Sequence, residues 1–169
     1  KMPLKQNKQR EIEDHLRFIS KKGEKFRTLY WNEHKINRVM RLFINFVKDS
    51  SNLRVLELGC GTGTFTLPLA KEHSSITGID LVKELLKMAR KFFLEEKFSI
   101  PLIACDAENL PFKESSFDIV FCSYFLHHFP SIEEVLKEIN RVLKPDGRFF
   151  VLEANVWNPI TWYWHRSQK

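Results

Sequence analysis

Long apolar runs are missing from this 169-residue chain: nothing approaches the ~18 residues a membrane-spanning helix needs. The first residues are polar and basic with no apolar stretch behind them, so they do not read as a secretory signal. Cysteine is scarce. Cys60, Cys105 and Cys122 are an odd number without metal-ligand spacing, which argues against a disulfide framework and a cysteine metal site. They are expected to be free thiols in a reducing cytoplasm. Repeats and low-complexity tracts are also lacking, which excludes solenoids and linker arrays. Length and 43% hydrophobic content suit one globular unit with a real core. Acidic residues are short in the first third: residues 1–54 hold 14 Lys and Arg against 6 Asp and Glu, net +8, while the rest carries −2. The expected organisation is a basic helical segment, residues 1–50, packing on a core formed by residues 51–169.

That core opens on its most informative feature. Residues 55–63 read Val-Leu-Glu-Leu-Gly-Cys-Gly-Thr-Gly. An apolar run reads as a buried strand, and Gly59, Gly61 and Gly63 let the chain turn sharply beside a ligand. Glu57 precedes the glycines. Asp80 follows seventeen residues after Gly63, at the end of a second strand-like run. Carboxylates at strand ends suit a ligand with hydroxyls or a cation. The dinucleotide fingerprint G-x-G-x-x-G does not fit, because Thr64 stands where its third glycine would fall. No Lys-Ser/Thr pair follows, so a P-loop is excluded. The combination points to a nucleoside-containing cofactor.

The remainder alternates. Apolar residues at helical spacing predict helices over 8–20 and 35–48. From Arg54, strands are predicted over 54–58, 75–79, 101–105, 117–122 and 149–152. Helices are expected from near Thr64, over 82–96, and from a capping box at 131–134 to Leu143. Pro145-Asp-Gly147 is read as a turn. Five strands alternating with helices make an α/β fold with a doubly wound parallel sheet.

Five segments in order carry a family resemblance. They are residues 55–63, Gly78-Ile-Asp80, Ala104–Phe112, Phe117–Phe129 and Leu143–Val151. Together they resemble the class I S-adenosylmethionine-dependent methyltransferases of the small-molecule type, over about 100 residues. The resemblance implies a Rossmann-like sheet of order 3-2-1-4-5 with N-terminal helices. It implies S-adenosylmethionine as cofactor and S-adenosylhomocysteine as product. By position, Gly59, Cys60, Gly61, Thr62 and Gly63 would lie against the amino-acid part and ribose, with Gly61 the least tolerant of a side chain. Asp80 would take the ribose hydroxyls, although such an acid can also cap the following helix. Leu81 would pack on adenine. Asp106 and the Ala107 backbone would read its edge, although Asp106 could be an ordinary turn acid. Glu57 would hold the glycine loop or the ammonium, and Cys122 with Ser123 would line the methionine end. No metal is implied.

The expected function is methyl transfer to a small-molecule acceptor. Two readings stand beside it: RNA or protein methylation guided by the basic segment, and a non-catalytic cofactor-binding module completed by a partner chain. Ser123–Leu126 stands where nucleobase amino methyltransferases carry Asn/Asp-Pro-Pro-Tyr/Phe, which disfavours adenine methylation. No catalytic residue is assigned. His127 and His128 could serve as a general base, but the resemblance favours packing, and Cys122 lacks an activating base nearby. The family's final antiparallel strand pair has no counterpart, so a form truncated after the fifth strand is expected. Residues 148–152 would then be a bare edge. It would be covered by the aromatic tail (Trp157, Trp162, Tyr163, Trp164) or by a second chain in a homodimer.

Overall fold

The computed structural model describes residues 4–22, 32–47, 52–72 and 75–153. The aromatic tail therefore lies outside the described residues. Helices α1 (Leu4–Lys22) and α2 (Glu33–Val47) precede strand β1 (Arg54–Leu58), then α3 (Thr66–Glu72), β2 (Ser75–Asp80), α4 (Lys83–Glu95), β3 (Leu102–Ala104), β4 (Phe117–Ser123), α5 (Glu133–Val142) and β5 (Leu143–Leu152). A single 3-10 turn, Leu126–His128, follows β4. The strands form one sheet of order β3-β2-β1-β4-β5, every pair parallel. This is the expected fold.

Burial on both faces explains the apolar runs in the middle of β1 and β4. Leu56, Leu58, Val120 and Cys122 face one layer with Val135, Ile139 and Val142 of α5. Val55, Ile119 and Phe121 face the other, with Phe43 and Val47 of α2 and Leu69 of α3. Strands buried on both faces have no polar side to present. Phe121 is fully buried against the rings of Phe43, Phe65 and Phe150. Truncating such a ring typically costs about 3–5 kcal/mol.

Helix α2 begins where the Asn32 side chain accepts from the Lys35 amide, 3.0 Å, satisfying an orphan donor of the first turn. Its other end lacks a basic residue of its own. Arg148 on β5 supplies the charge, donating to the carbonyls of Phe46 and Val47 at 2.6 and 3.1 Å. Helix α1 contributes no residue to the described core clusters. It meets the rest through polar side chains, described below. Among the described residues, no helix is long and apolar enough to cross a membrane.

Two local expectations change. The Pro145-Asp-Gly147 turn does not precede β5 but sits inside it. Phe117 pairs with Leu143 and Ile119 with Arg148, so five steps on β5 face two on β4 and the turn bulges from a continuing ladder. The capping box is also incomplete. Ser131 accepts from the Glu133 amide at 3.4 Å, and Glu134 pairs with Lys137 instead of reaching back. Strand β5 is an edge, as expected, with Val151 45% exposed.

Candidate functional site

At the carboxyl end of β1 the chain enters a loop with three left-handed glycines: Gly59 at φ 65°, Gly61 at 53° and Gly63 at 83°. L residues pay roughly 1–2 kcal/mol for that conformation. A Cβ on Gly59 would sit 2.3 Å from the Phe125 ring, and one on Gly63 2.4 Å from the Phe93 ring. A Cβ on Gly61 would meet nothing within 4 Å. Gly61 is therefore not the least tolerant position by packing; that distinction belongs to its neighbours. The open space beside Gly61 leaves its backbone accessible.

Asp80, at the end of β2, ties this loop to the sheet. One carboxylate oxygen accepts from the Gly61 amide at 2.9 Å, the other from the Val82 amide at 2.8 Å. The Val82 contact is a turn ahead of α4 and not the helix cap foreseen for Asp80, since Val82 is itself the N-cap residue and α4 has no side-chain cap bond; lone pairs remain on both Asp80 oxygens. Burial raises its pKa, opposed by those two amides. Asp106, after β3, repeats the design. It accepts from the Glu108 amide at 3.0 Å, a turn contact, and its second oxygen pairs with the Lys8 ammonium. Lys8 also pairs with Glu108. The segment that carries Asp106 is held on α5, where Arg141 donates to the Phe112 and Leu110 carbonyls while Glu138 accepts from the Leu110 amide.

Gly59, Asp80, Leu81, Asp106 and Ala107 line one cleft at the carboxyl ends of the strands, the usual place for ligands in open α/β sheets. Phe125 and Phe129 complete it, with Lys8 of α1 at the side. Of the remaining sequence-predicted residues, Gly61 and Ser123 are partly exposed, and the others sit behind this surface. Glu57 is buried, with one carboxyl oxygen lacking any hydrogen-bond partner. Burial pushes its pKa up to about 8, helped by the charge of Asp80 and opposed by the nearby Thr66 hydroxyl. The Ser123 hydroxyl is likewise buried without a partner. Thr62 and Cys60 are buried beneath the loop. Cys122 points into the α5 layer, so only its backbone is available to a ligand. All three thiols are raised, chiefly by burial, Cys105 to about 11. None is poised as a nucleophile.

Beyond Ser123 the chain turns through Tyr124 at φ 53°. Glu153, just past β5, holds this turn with three contacts. It accepts from the amides of Phe125 (2.8 Å) and Leu126 (2.6 Å) and meets Nδ1 of His127 at 3.0 Å. Burial opposes its charge, but the bonds from His127, Leu126 and Phe125 outweigh it and hold its pKa below the usual carboxylate range. The two histidines separate. His128 lies 5.8 Å from the His15 ring of α1, and burial lowers its pKa to about 4, assisted by His127 and His15. It is the packing residue of the pair. His127 is 44% exposed and faces Glu153.

Sequence reasoning missed Glu153, Phe125, Phe129 and Lys8. Glu153 had a signal: an acid directly after a strand, the same mark that singled out Asp80. Lys8 had none.

Residues 56–151 match the family described as methyltransferase domain. Demethylmenaquinone methyltransferase of Lactobacillus johnsonii is 40% identical over 124 residues, 70% of this chain and 51% of that protein. A ubiquinone biosynthesis O-methyltransferase of Xanthomonas oryzae pv. oryzae is 32% identical over 123 residues, 72% of this chain and 52% of the relative. The crystal structure of the YcgJ protein of Bacillus subtilis superposes with a TM-score of 0.67 at 31% identity, covering 74% of this chain and 54% of that one. The chain thus spans about half the length of these curated relatives.

Proposed function

The chain belongs to the methyltransferase-domain family, and on that premise we propose that it binds S-adenosylmethionine in the strand-end cleft and methylates a small molecule. The carrying observation is the paired carboxylates. Asp80 and Asp106 stand at the ends of neighbouring strands and line the cleft, each with one oxygen or more bonded to a backbone amide. Fixed, charged acceptors of this kind suit vicinal hydroxyls and an exocyclic amine.

The residues present fit the cofactor. Asp80 would hold the ribose hydroxyls, and Asp106 with the Ala107 backbone the adenine edge, while Leu81 packs on the ring. The open backbone at Gly61 and the unpartnered buried oxygens of Glu57 and Ser123 suit the polar amino-acid end. When bound, the cofactor supplies a methyl group already activated on a sulfonium. The protein's task is then alignment and exclusion of water. Phe125 and Phe129 would wall the cleft against solvent. The small-molecule acceptor class is supported by the quinone-pathway names of the two relatives above.

Calorimetry with S-adenosylhomocysteine tests the reading. Micromolar or tighter binding is expected; absence of binding by the folded chain would refute it. Transfer of label from methyl-labelled donor into the small-molecule fraction of a cell extract, with none into RNA or protein, tests the acceptor class.

A further inference from the structure

Resting on that methyl-transfer reading, we propose that His127 takes the proton of the incoming acceptor and that Glu153 is the residue that positions it. The geometry separates His127 from its neighbour: His128 is packed against α1, whereas His127 remains 44% exposed beside a carboxylate. An ionised carboxylate only accepts hydrogen bonds. Glu153 already accepts from two amides and is favoured in its charged form. Nδ1 of His127, 3.0 Å away, must therefore carry the ring's proton, which makes Nε2 the acceptor. A carboxylate that fixes the tautomer and stabilises the imidazolium is the arrangement that makes histidine an effective base.

The placement agrees. His127 follows β4 and Glu153 follows β5, two and three strands along from Asp80 at the end of β2, on the same carboxyl-end side of the sheet. The turn that carries His127 also carries Phe125, whose ring lies against Gly59 at the cleft. The same two Glu153 contacts that fix Phe125 fix the histidine two residues on. In the step, the acceptor's O–H or N–H bond breaks and its proton passes to Nε2 as the oxygen or nitrogen bonds to the methyl carbon. The carbon–sulfur bond breaks with its electron pair going to sulfur, turning sulfonium to thioether. The imidazolium, held by Glu153, then releases the proton to water.

Two measurements test this together. Nitrogen-15 NMR of the histidines in the ligand-free chain, assigned with His127→Gln and His128→Gln, should show His127 protonated on Nδ1. In Glu153→Gln that preference should be lost, while Glu153→Asp, which keeps an ionised acceptor, should retain it if the chain stays folded by its melting curve. His127 protonated on Nε2 in the wild type would overturn the role of Glu153. In the labelled-donor assay, His127→Gln should lower transfer by about 100-fold or more, with S-adenosylhomocysteine binding within about threefold of wild type. Transfer undiminished in His127→Gln would overturn the inference and leave the cofactor reading standing. A wild-type chain that fails to bind S-adenosylhomocysteine would overturn the cofactor reading, and the inference with it.

Discussion

The two halves of the sheet build their parts of the cleft from different materials. On the β1-β2-β3 side the site is mostly backbone: left-handed glycines, amides, and two carboxylates that bind amides before they bind any ligand. On the β4-β5 side it is mostly side chain: the rings of Phe125 and Phe129, beside a turn held by Glu153 from 26 to 28 residues away. A backbone-built site is stiff and tolerates few substitutions. A site built from side chains can be reshaped by replacing one residue. The stiff half suits a cofactor of fixed shape, the adaptable half an acceptor.

The largest effect should come from Gly63→Ala. It adds left-handed strain to a contact 2.4 Å from the Phe93 ring and is expected to destabilise the fold by about 3–5 kcal/mol in denaturant titrations. A loss under about 1 kcal/mol would mean that the glycine loop is not stiff. Next comes Glu57. Its pKa rises from 4.5 to about 8 on folding, so between those values the unfolded chain has released a proton that the folded chain keeps. This contribution should then be full below pH 4.5 and decline as pH rises to 8, by up to about 5 kcal/mol. In Glu57→Gln that decline should disappear; a wild-type profile matching the variant's would show that the buried carboxyl is already paired. Asp80→Ala should weaken S-adenosylhomocysteine binding by about 10- to 100-fold in calorimetry, because ribose hydroxyls lose their acceptors.

On the other side of the comparison, Arg148→Met removes the cation at the end of α2 and should lower unfolding free energy by about 1–2 kcal/mol while leaving cofactor binding unchanged. A binding defect there would show the halves to be coupled. The smallest effect is expected at Lys8, whose partly exposed ammonium shares Asp106 and Glu108. Lys8→Met should tighten S-adenosylhomocysteine binding by no more than about fivefold, by freeing Asp106. Weaker binding would instead make Lys8 part of the site.

The same division decides what could be read from the sequence. The order of elements was legible, because burial on both faces forces continuous apolar runs and strand ends are marked by Gly59, Asp80 and Asp106; the strand order was implied by the family resemblance alone. The glycine loop was legible because a left-handed backbone has to be written locally. Which glycine is crowded was not: Phe125 and Phe93 approach Gly59 and Gly63 from 30 or more positions away. The bulge in β5 was hidden because Pro145-Asp-Gly147 is a turn signal, and only pairing with β4 reveals that the ladder resumes on both sides of it. The Glu153 clamp and the Lys8 bridge depend on side chains reaching across the sheet end, and no periodicity encodes such a reach.

Arg148 has a consequence for how the chain reaches this state. Its guanidinium binds carbonyls 101 and 102 residues earlier, so this contact cannot form until β1 and β4, 60-odd residues apart in sequence, have paired. Closing loops of that size is slow relative to forming helices. During refolding, the amide protons in the last turn of α2 should therefore gain protection from exchange together with those of β5, well after the β1–β2 pair.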